Sequence, residues 1–203
     1  MGSTTPANSH DSWKLSQGAW DTHVHVFDPI NFPYSPSRVY TPSSASLDSL
    51  TNFNQSLAET QAPTNIVLVQ PSPYNTDNSL ILSVLRSCSS RNNNATTGYY
   101  SKFRGIVVID VQSITDEELA SMHAVGVRGV RINLQSSSSK HTTFCDIKTT
   151  IMRTAERISR FGWVIELYVA GHMWDGRAAP PPFSIQIQIK LRKKIFFFKR
   201  NIS

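Results

Sequence analysis

Residues 20–29 read Trp-Asp-Thr-His-Val-His-Val-Phe-Asp-Pro, a run in which polar and apolar side chains alternate. Successive side chains of a strand point to opposite faces, so Asp21, His23 and His25 share one face and the valines share the other. The apolar face suits packing under helices. The polar face then points into a sheet or barrel, where polar groups are costly unless they have partners. This run therefore predicts a strand that carries a partnered pair of histidines.

The same pattern continues outward from this first strand. Apolar, mostly β-branched runs predict five strands, at Thr22–Phe27, Asn65–Gln70, Gly105–Val111, Val127–Leu134 and Val164–Ala170. Their near-continuous Val, Ile and Leu content is typical of strands buried on both faces. Amphipathic spacing predicts helices between them, at Leu47–Leu57, around Leu80–Leu85, after the capping-box pair Thr115 and Glu118, and near Asp146–Arg160. Alternating strands and helices indicate βα units and a parallel sheet.

The charge of the chain is unevenly distributed. The 203 residues include 20 Lys and Arg and 14 Asp and Glu, a formal net charge of +6. Seven basic residues and no acidic ones lie in 176–203, which leaves 13 basic and 14 acidic residues in 1–175. The body of the protein is therefore not basic, and neither a nucleic-acid nor a membrane partner is predicted for it. Two cysteines, without a secretion signal or a long apolar run, predict a cytoplasmic location.

Three segments are predicted. Residues 1–17 form a flexible lead-in rich in Ser, Thr, Asn and Pro, and residues 18–175 form the domain with the βα pattern. Residues 176–203 form a basic, partly apolar tail that breaks this pattern and is interpreted as foreign to the fold, as read-through of an unspliced or frame-shifted stretch would be. Its period-two run at 185–190 could be an edge strand, and its charge could serve a membrane surface. A non-enzymatic binder of nucleic acid or membrane through this tail is one alternative function.

Four ordered motifs carry a family resemblance. Gly18–Pro29 resembles the first strand of the amidohydrolase-related (amidohydrolase-2) family, and Asn65–Ser72, Gly126–Asn133 and Gly162–Tyr168 match further family motifs in the same order. The resemblance is closest to the branch of 2-pyrone-4,6-dicarboxylate lactonase-like, metal-independent hydrolases. It implies a (β/α)8 TIM barrel with its active site at the carboxyl ends of the strands. With about five βα units, the chain is expected to form a truncated TIM-barrel-like α/β fold with an atypical basic tail.

The strands also predict which polar residues meet. Alternation directs Gln70 and Ser72, Arg131 and Asn133, and Glu166 and Tyr168 to the same side as the histidines. The resemblance implies that His23, His25, Ser72, Arg131 and Tyr168 contact the substrate, with Tyr40 as a looser match. His23 and His25 would polarise an ester carbonyl, and Arg131 would hold a carboxylate of a small, carboxylated lactone.

Structural roles are the alternatives for these residues. The histidines could be ordinary buried side chains bonded to backbone carbonyls, Arg131 could form a structural salt bridge, and Ser72 and Tyr168 could be structural as well. Asp110, His172 and Asp175 are weaker candidates.

Cofactor and activity are further expectations. The resemblance implies that metal-dependent relatives add a fourth-strand Lys or Glu and later histidines, which the matched strands lack, so no cofactor is predicted. A metal-dependent decarboxylase or hydrolase holding zinc or manganese at His23 and His25 is the alternative. In the lactonase branch a carboxylate ending the eighth strand activates water, and residues 176–203 contain no carboxylate. The chain as written is therefore expected to be weakly active or inactive and prone to aggregate, and whether it acts as an enzyme stays open.

Overall fold

The computed structural model describes residues 18–57, 64–93, 101–134, 144–170 and 184–190. The strands in these ranges form one sheet with the order β1-β2-β3-β4-β5-β6. They are Trp20–Val24 (β1), Asn65–Val69 (β2), Phe103–Val107 (β3), Val127–Asn133 (β4), Val164–Ala170 (β5) and Ser184–Lys190 (β6). The α-helices are Leu47–Ser56 (α1), Ser79–Asn93 (α2), Asp116–Ala124 (α3) and Phe144–Ile158 (α4).

The first five strands are parallel neighbours in chain order, and one α-helix lies between each strand and the next. Parallel strands require such crossover connections, and helices that cover a sheet explain why its strands are apolar on both faces. This arrangement confirms the predicted fold class, an α/β, truncated TIM-barrel-like fold. All five carboxyl ends lie at the same edge of the sheet, where barrels of this kind place their sites.

Part of the basic tail forms the sixth strand. β6 pairs antiparallel with β5, from Val164 opposite Lys190 to Ala170 opposite Ser184. The sequence allows an edge strand or a membrane-surface segment for 185–190, and the structure has an edge strand there. An antiparallel neighbour needs no crossover helix, which explains why this segment lacks the βα pattern. The segment boundaries at 17 and 175 stay predictions, and the lead-in and the rest of the tail lie outside the described residues.

The core lies between the sheet and its helices. Its largest fully buried side chains include Trp163, Tyr74, Ile165, Leu167 and Leu119. Because β5 is apolar at Ile165, Leu167 and Val169, one of its faces packs entirely into this core. Its other face carries Glu166 and Tyr168 toward the candidate site. No helix in the described part of the chain is long and apolar enough to cross a membrane.

Local signals set the ends of two helices. The side chain of Thr115 accepts from the backbone N–H of Glu118, whose carboxylate accepts from the backbone N–H of Thr115, so the predicted capping box begins α3. A 3-10 turn follows α4 and ends at Gly162, whose φ of 62° lies in the left-handed region that favours glycine.

The third strand differs from its prediction because of one side chain. β3 begins at Phe103 and ends at Val107, whereas the apolar run predicts Gly105–Val111. The side-chain amide of Asn78 forms hydrogen bonds with both backbone groups of Val108. Its Oδ1 accepts from the Val108 N–H at 3.1 Å, and its Nδ2 donates to the Val108 carbonyl at 2.7 Å. A buried side chain thus replaces the next strand-to-strand hydrogen bonds.

Candidate functional site

Three charged or polar side chains from three strands, Glu166, His23 and Arg131, meet on one face of the sheet. Glu166 of β5 is fully buried, with 0% of its surface exposed. Its Oε2 lies 3.3 Å from Nδ1 of His23 on β1, and its Oε1 lies 3.4 Å from Nε of Arg131 on β4. Neither oxygen has a hydrogen bond of regular geometry, so the carboxylate is held mainly by charge. Glu166 thus forms an ion pair between β5 and β4 and also approaches His23 of β1.

His25 lies beside this group and is fixed by the backbone. Its Nδ1 is 2.8 Å from the carbonyl oxygen of Val69, and its ring lies 4.9 Å from that of His23, edge to face. A carbonyl oxygen only accepts, so Nδ1 carries the proton and Nε2 carries a lone pair when the ring is neutral. Burial lowers the pKa of His25 from 6.5 to about 4. At neutral pH His25 is therefore a hydrogen-bond acceptor at Nε2.

Arg131 combines the two roles that the sequence left open. It forms the salt bridge to Glu166, and its Nη1 donates to the carbonyl oxygen of Gln70 at 3.1 Å. Its guanidinium carbon also lies 5.5 Å from the ring centre of Tyr168, a cation–π contact. The same side chain lines a cavity at the carboxyl edge of the sheet, so a structural bond to Glu166 does not remove Arg131 from the candidate site.

That cavity has a volume of about 140 Å³. Ser72, at the start of a 3-10 turn after β2, and Asn133, at the end of β4, form one wall, and the Asn133 amide donates to the Ser72 hydroxyl at 2.9 Å. Arg38, from the loop after β1, forms part of another wall. Two guanidinium groups and several neutral polar groups therefore surround one small space, which suits an anionic ligand.

The predicted residues are brought together with one exception. Through Glu166, His25 and His23 are linked to Arg131 and Tyr168 in one chain of contacts, and Ser72 shares the cavity with Arg131. Tyr40 is 46% exposed and is not among the residues that line this cavity. Its substrate contact stays a prediction.

Two residues were missed as site residues. The alternation of β5 directs Glu166 inward, yet its function as the shared partner of His23 and Arg131 depends on which strands are neighbours. Arg38 lies in a loop without periodicity. Its Nε donates to the Thr41 hydroxyl at 2.8 Å and its Nη1 to the Ser35 carbonyl at 3.2 Å, contacts that no sequence pattern announces.

The described residues bring together fewer metal ligands than a catalytic zinc site uses. A catalytic zinc uses three protein ligands and an open position. Among the residues whose placement is described, no group of three or more His, Cys, Asp or Glu side chains could hold a metal ion. His23 and His25 would be ligands of such a metal, and contacts of Nδ1 with a carboxylate or a carbonyl, as both rings have here, are common for metal-bound histidines, so the zinc or manganese alternative stays a prediction.

Curated relatives share much of this chain. A 2-pyrone-4,6-dicarboxylate hydrolase of Comamonas testosteroni is 33% identical over 85% of the chain and 52% of its own length. A 4-sulfomuconolactone hydrolase of Rhizobium radiobacter is 31% identical over 59% of the chain and 35% of its own length. The chain thus spans about half the length of the first relative and about a third of the second.

A solved structure agrees with these relatives. The crystal structure of a Pseudomonas putida protein, described as a 2-pyrone-4,6-dicarboxylic acid hydrolase, matches with a TM-score of 0.53 and 31% identity. The match covers 75% of this chain and 49% of that one. The family model described as amidohydrolase (Amidohydro_2) matches residues 20–193. Because that match spans most of the chain, including β1 to β6, the protein belongs to this amidohydrolase family.

Proposed function

We propose that this protein is a hydrolase of small cyclic esters that carry carboxylate groups. The observation that carries the proposal is the His23–Glu166–Arg131 group beside a cavity with two arginines, at the carboxyl edge of a parallel sheet. The relatives support it, because 2-pyrone-4,6-dicarboxylate and 4-sulfomuconolactone are both cyclic esters with anionic substituents.

Substrate binding rests on the two arginines. Arg131 is held by Glu166 and Gln70, so its guanidinium has a fixed orientation before a substrate arrives. Arg38 is held by Ser35 and Thr41 in the same way, at the rim of the cavity. A carboxylate that binds either group forms charge-assisted hydrogen bonds, which are about twice as strong as neutral ones.

The two histidines differ in what they offer to the ester. In hydrolysis, water adds to the carbonyl carbon, the ring C–O bond breaks, and a carboxylate and a hydroxyl group result. His25 accepts at Nε2 and so suits holding that water through one of its hydrogens. His23, whose Nδ1 lies 3.3 Å from Oε2 of Glu166, is positioned beside a carboxylate as catalytic imidazoles commonly are. By family resemblance, a late-strand carboxylate would take the proton from water.

Two further expectations belong to the same proposal. No cofactor is required for the roles assigned to these residues, and the substrate is a small molecule rather than a nucleic acid. A cytoplasmic location is supported by Cys88 and Cys145, which are free thiols, as a reducing compartment would keep them.

The experiment measures binding and turnover separately. We expect 2-pyrone-4,6-dicarboxylate to bind the purified chain saturably in calorimetry, with turnover followed by loss of the pyrone absorbance. Arg38→Gln is expected to weaken binding roughly 10- to 100-fold, since a hydrogen bond to a charged group contributes about 1.5–3 kcal/mol. Lys148→Gln, an exposed change on α4 with the same loss of charge, is the matched control. Absence of both saturable binding and turnover, or equal weakening by both variants, would contradict the proposal.

A further inference from the structure

A second cavity lies at the opposite edge of the sheet, where β3 and β4 begin. Its volume is about 160 Å³, well above the 10–15 Å³ that one water molecule requires. Lys102 and Arg104 from the start of β3 and Arg128 from the start of β4 line it, together with Ser89 of α2. The candidate active site is at the other ends of these strands. Arg128 and Asn133 are five residues apart on β4, which is roughly 17 Å along a strand.

The cations of this cavity have no acidic partner among the described residues. None of the ion pairs in those ranges includes Lys102, Arg104 or Arg128. Arg104 donates from Nη1 to the carbonyl of Phe103, and Arg128 donates from Nη1 to the carbonyls of His123 and Val127, each at 2.7 Å. These bonds fix both guanidinium groups and use only one nitrogen of each.

Capping of α3 accounts for only part of this arrangement. The bond from Arg128 to His123 satisfies a carbonyl at the end of α3, a common function of a basic side chain there. It does not account for a second arginine beside the first. Partial burial, with repulsion from Arg104, lowers the pKa of Arg128. Two like charges brought together in a half-buried space are stabilised when an anion lies between them.

We propose that this cavity binds a phosphate-type oxyanion, held by Lys102, Arg104 and Arg128. The planar fork of an arginine matches two oxygens of such an anion, and a lysine adds a point charge. The anion is either inorganic phosphate or the phosphate group of a small phosphomonoester, which share this chemistry. Since the cavity lies behind the candidate active site, the bound anion would stabilise β3 and β4 without occupying the substrate cavity.

The experiment is a thermal-unfolding titration of the full chain with inorganic phosphate, at an ionic strength held constant with chloride. Saturating phosphate is expected to raise the unfolding midpoint by roughly 5–10 °C, because a ligand that binds only the folded state stabilises it. The double variant Lys102→Gln/Arg104→Gln should weaken phosphate binding at least tenfold. Lys148→Gln/Arg153→Gln, two exposed changes on α4 with the same loss of charge, should leave it within twofold.

Two further titrations identify the anion and the cavity in which it binds. Tighter binding of glucose 6-phosphate than of inorganic phosphate would support the site with a phosphomonoester as ligand, and the reverse order would support it with the free ion. No saturable effect of either compound would overturn the proposal. So would a phosphate effect that survives Lys102→Gln/Arg104→Gln and disappears in Arg38→Gln, because phosphate would then occupy the substrate cavity.

Discussion

Glu166 is the residue on which the candidate site depends. A carboxylate without solvent exposure is costly to bury, and this one has two cationic or potentially cationic neighbours, Arg131 and His23, in place of water. Removing one member of a buried pair leaves the other charge unpaired, whereas removing both leaves apolar side chains that can pack. The stability of the protein should therefore depend on the pair more than on either residue alone.

This dependence gives a double-mutant prediction. Glu166→Leu and Arg131→Met are each expected to lower the free energy of unfolding by about 3–5 kcal/mol. The free energy of unfolding of the double variant should fall by clearly less than the sum of the two single losses, because neither charge of the pair is then left without the other. Urea unfolding of the two single variants and the double variant measures these losses, and an unchanged m-value shows that only stability has changed. Additive losses would show that the two side chains do not stabilise each other, and the central contact of the site would then be wrong.

The sequence could predict the direction of these side chains but not their pairing. Period-two alternation places His23, Arg131 and Glu166 on the inner face, because that pattern is a property of each strand alone. The contact of Glu166 with both partners depends on parallel pairing and register, with Arg131 opposite Glu166 in the ladder. Arg38 was beyond prediction for another reason: its position follows from a loop fixed by hydrogen bonds to Ser35 and Thr41.

At the scale of elements, β4 and β5 approach so closely that a Cβ at one glycine of β4 would clash with β5. A Cβ on Gly129 would lie 2.9 Å from the carbonyl oxygen and 2.7 Å from Cγ2 of Val164, the first residue of β5. Backbone at that distance cannot move without disturbing the ladder. A Cβ on Gly105 of β3 would also lie 2.7 Å from a neighbour, but that neighbour is the flexible end of Leu85.

The two glycines therefore form a matched pair. Gly129→Ala is expected to destabilise the protein by about 1–3 kcal/mol, as overpacking against a fixed group does. Gly105→Ala should cost less, because Leu85 can adopt another rotamer. Chemical denaturation of both variants beside the unchanged protein measures the difference. Equal losses, or a larger loss for Gly105→Ala, would contradict the close approach of β4 to β5.

Element boundaries show where sequence prediction ends. The five parallel strands and their helices were predicted because apolar runs and helical spacing are local, and the capping box of α3 is local too. The end of β3 could not be predicted, since it depends on Asn78, some 30 residues away, which forms hydrogen bonds with the backbone groups of Val108. The direction of β6 could not be predicted either, because a period-two pattern fits both parallel and antiparallel pairing.

At the scale of the whole molecule, the two ends of the sheet carry different chemistry. The carboxyl edge combines two arginines with a buried carboxylate and two histidines, whereas the described lining of the cavity at the amino edge includes Lys102, Arg104 and Arg128 and no carboxylate. The net charge of +6 says little about a partner of the sheet, since residues 176–203 carry +7 and residues 1–175 carry −1. In the cavity at the carboxyl edge, Arg131 is paired with Glu166. In the cavity at the amino edge, the described residues include no acidic partner for the three cations.

The pH dependence of folding follows from the burial of His25. Its pKa falls from 6.5 in the unfolded chain to about 4 in the fold, so between these values the unfolded state binds more protons. The contribution is present above pH 6.5 and is lost as the pH falls toward 4. From pH 7 to pH 4.5 the free energy of unfolding should drop by about 2 kcal/mol through this residue. His25→Asn keeps a donor for Val69 but does not titrate, so urea unfolding of this variant should show a flatter pH profile by that amount. Parallel profiles for the two proteins would show that His25 is not buried in its neutral form.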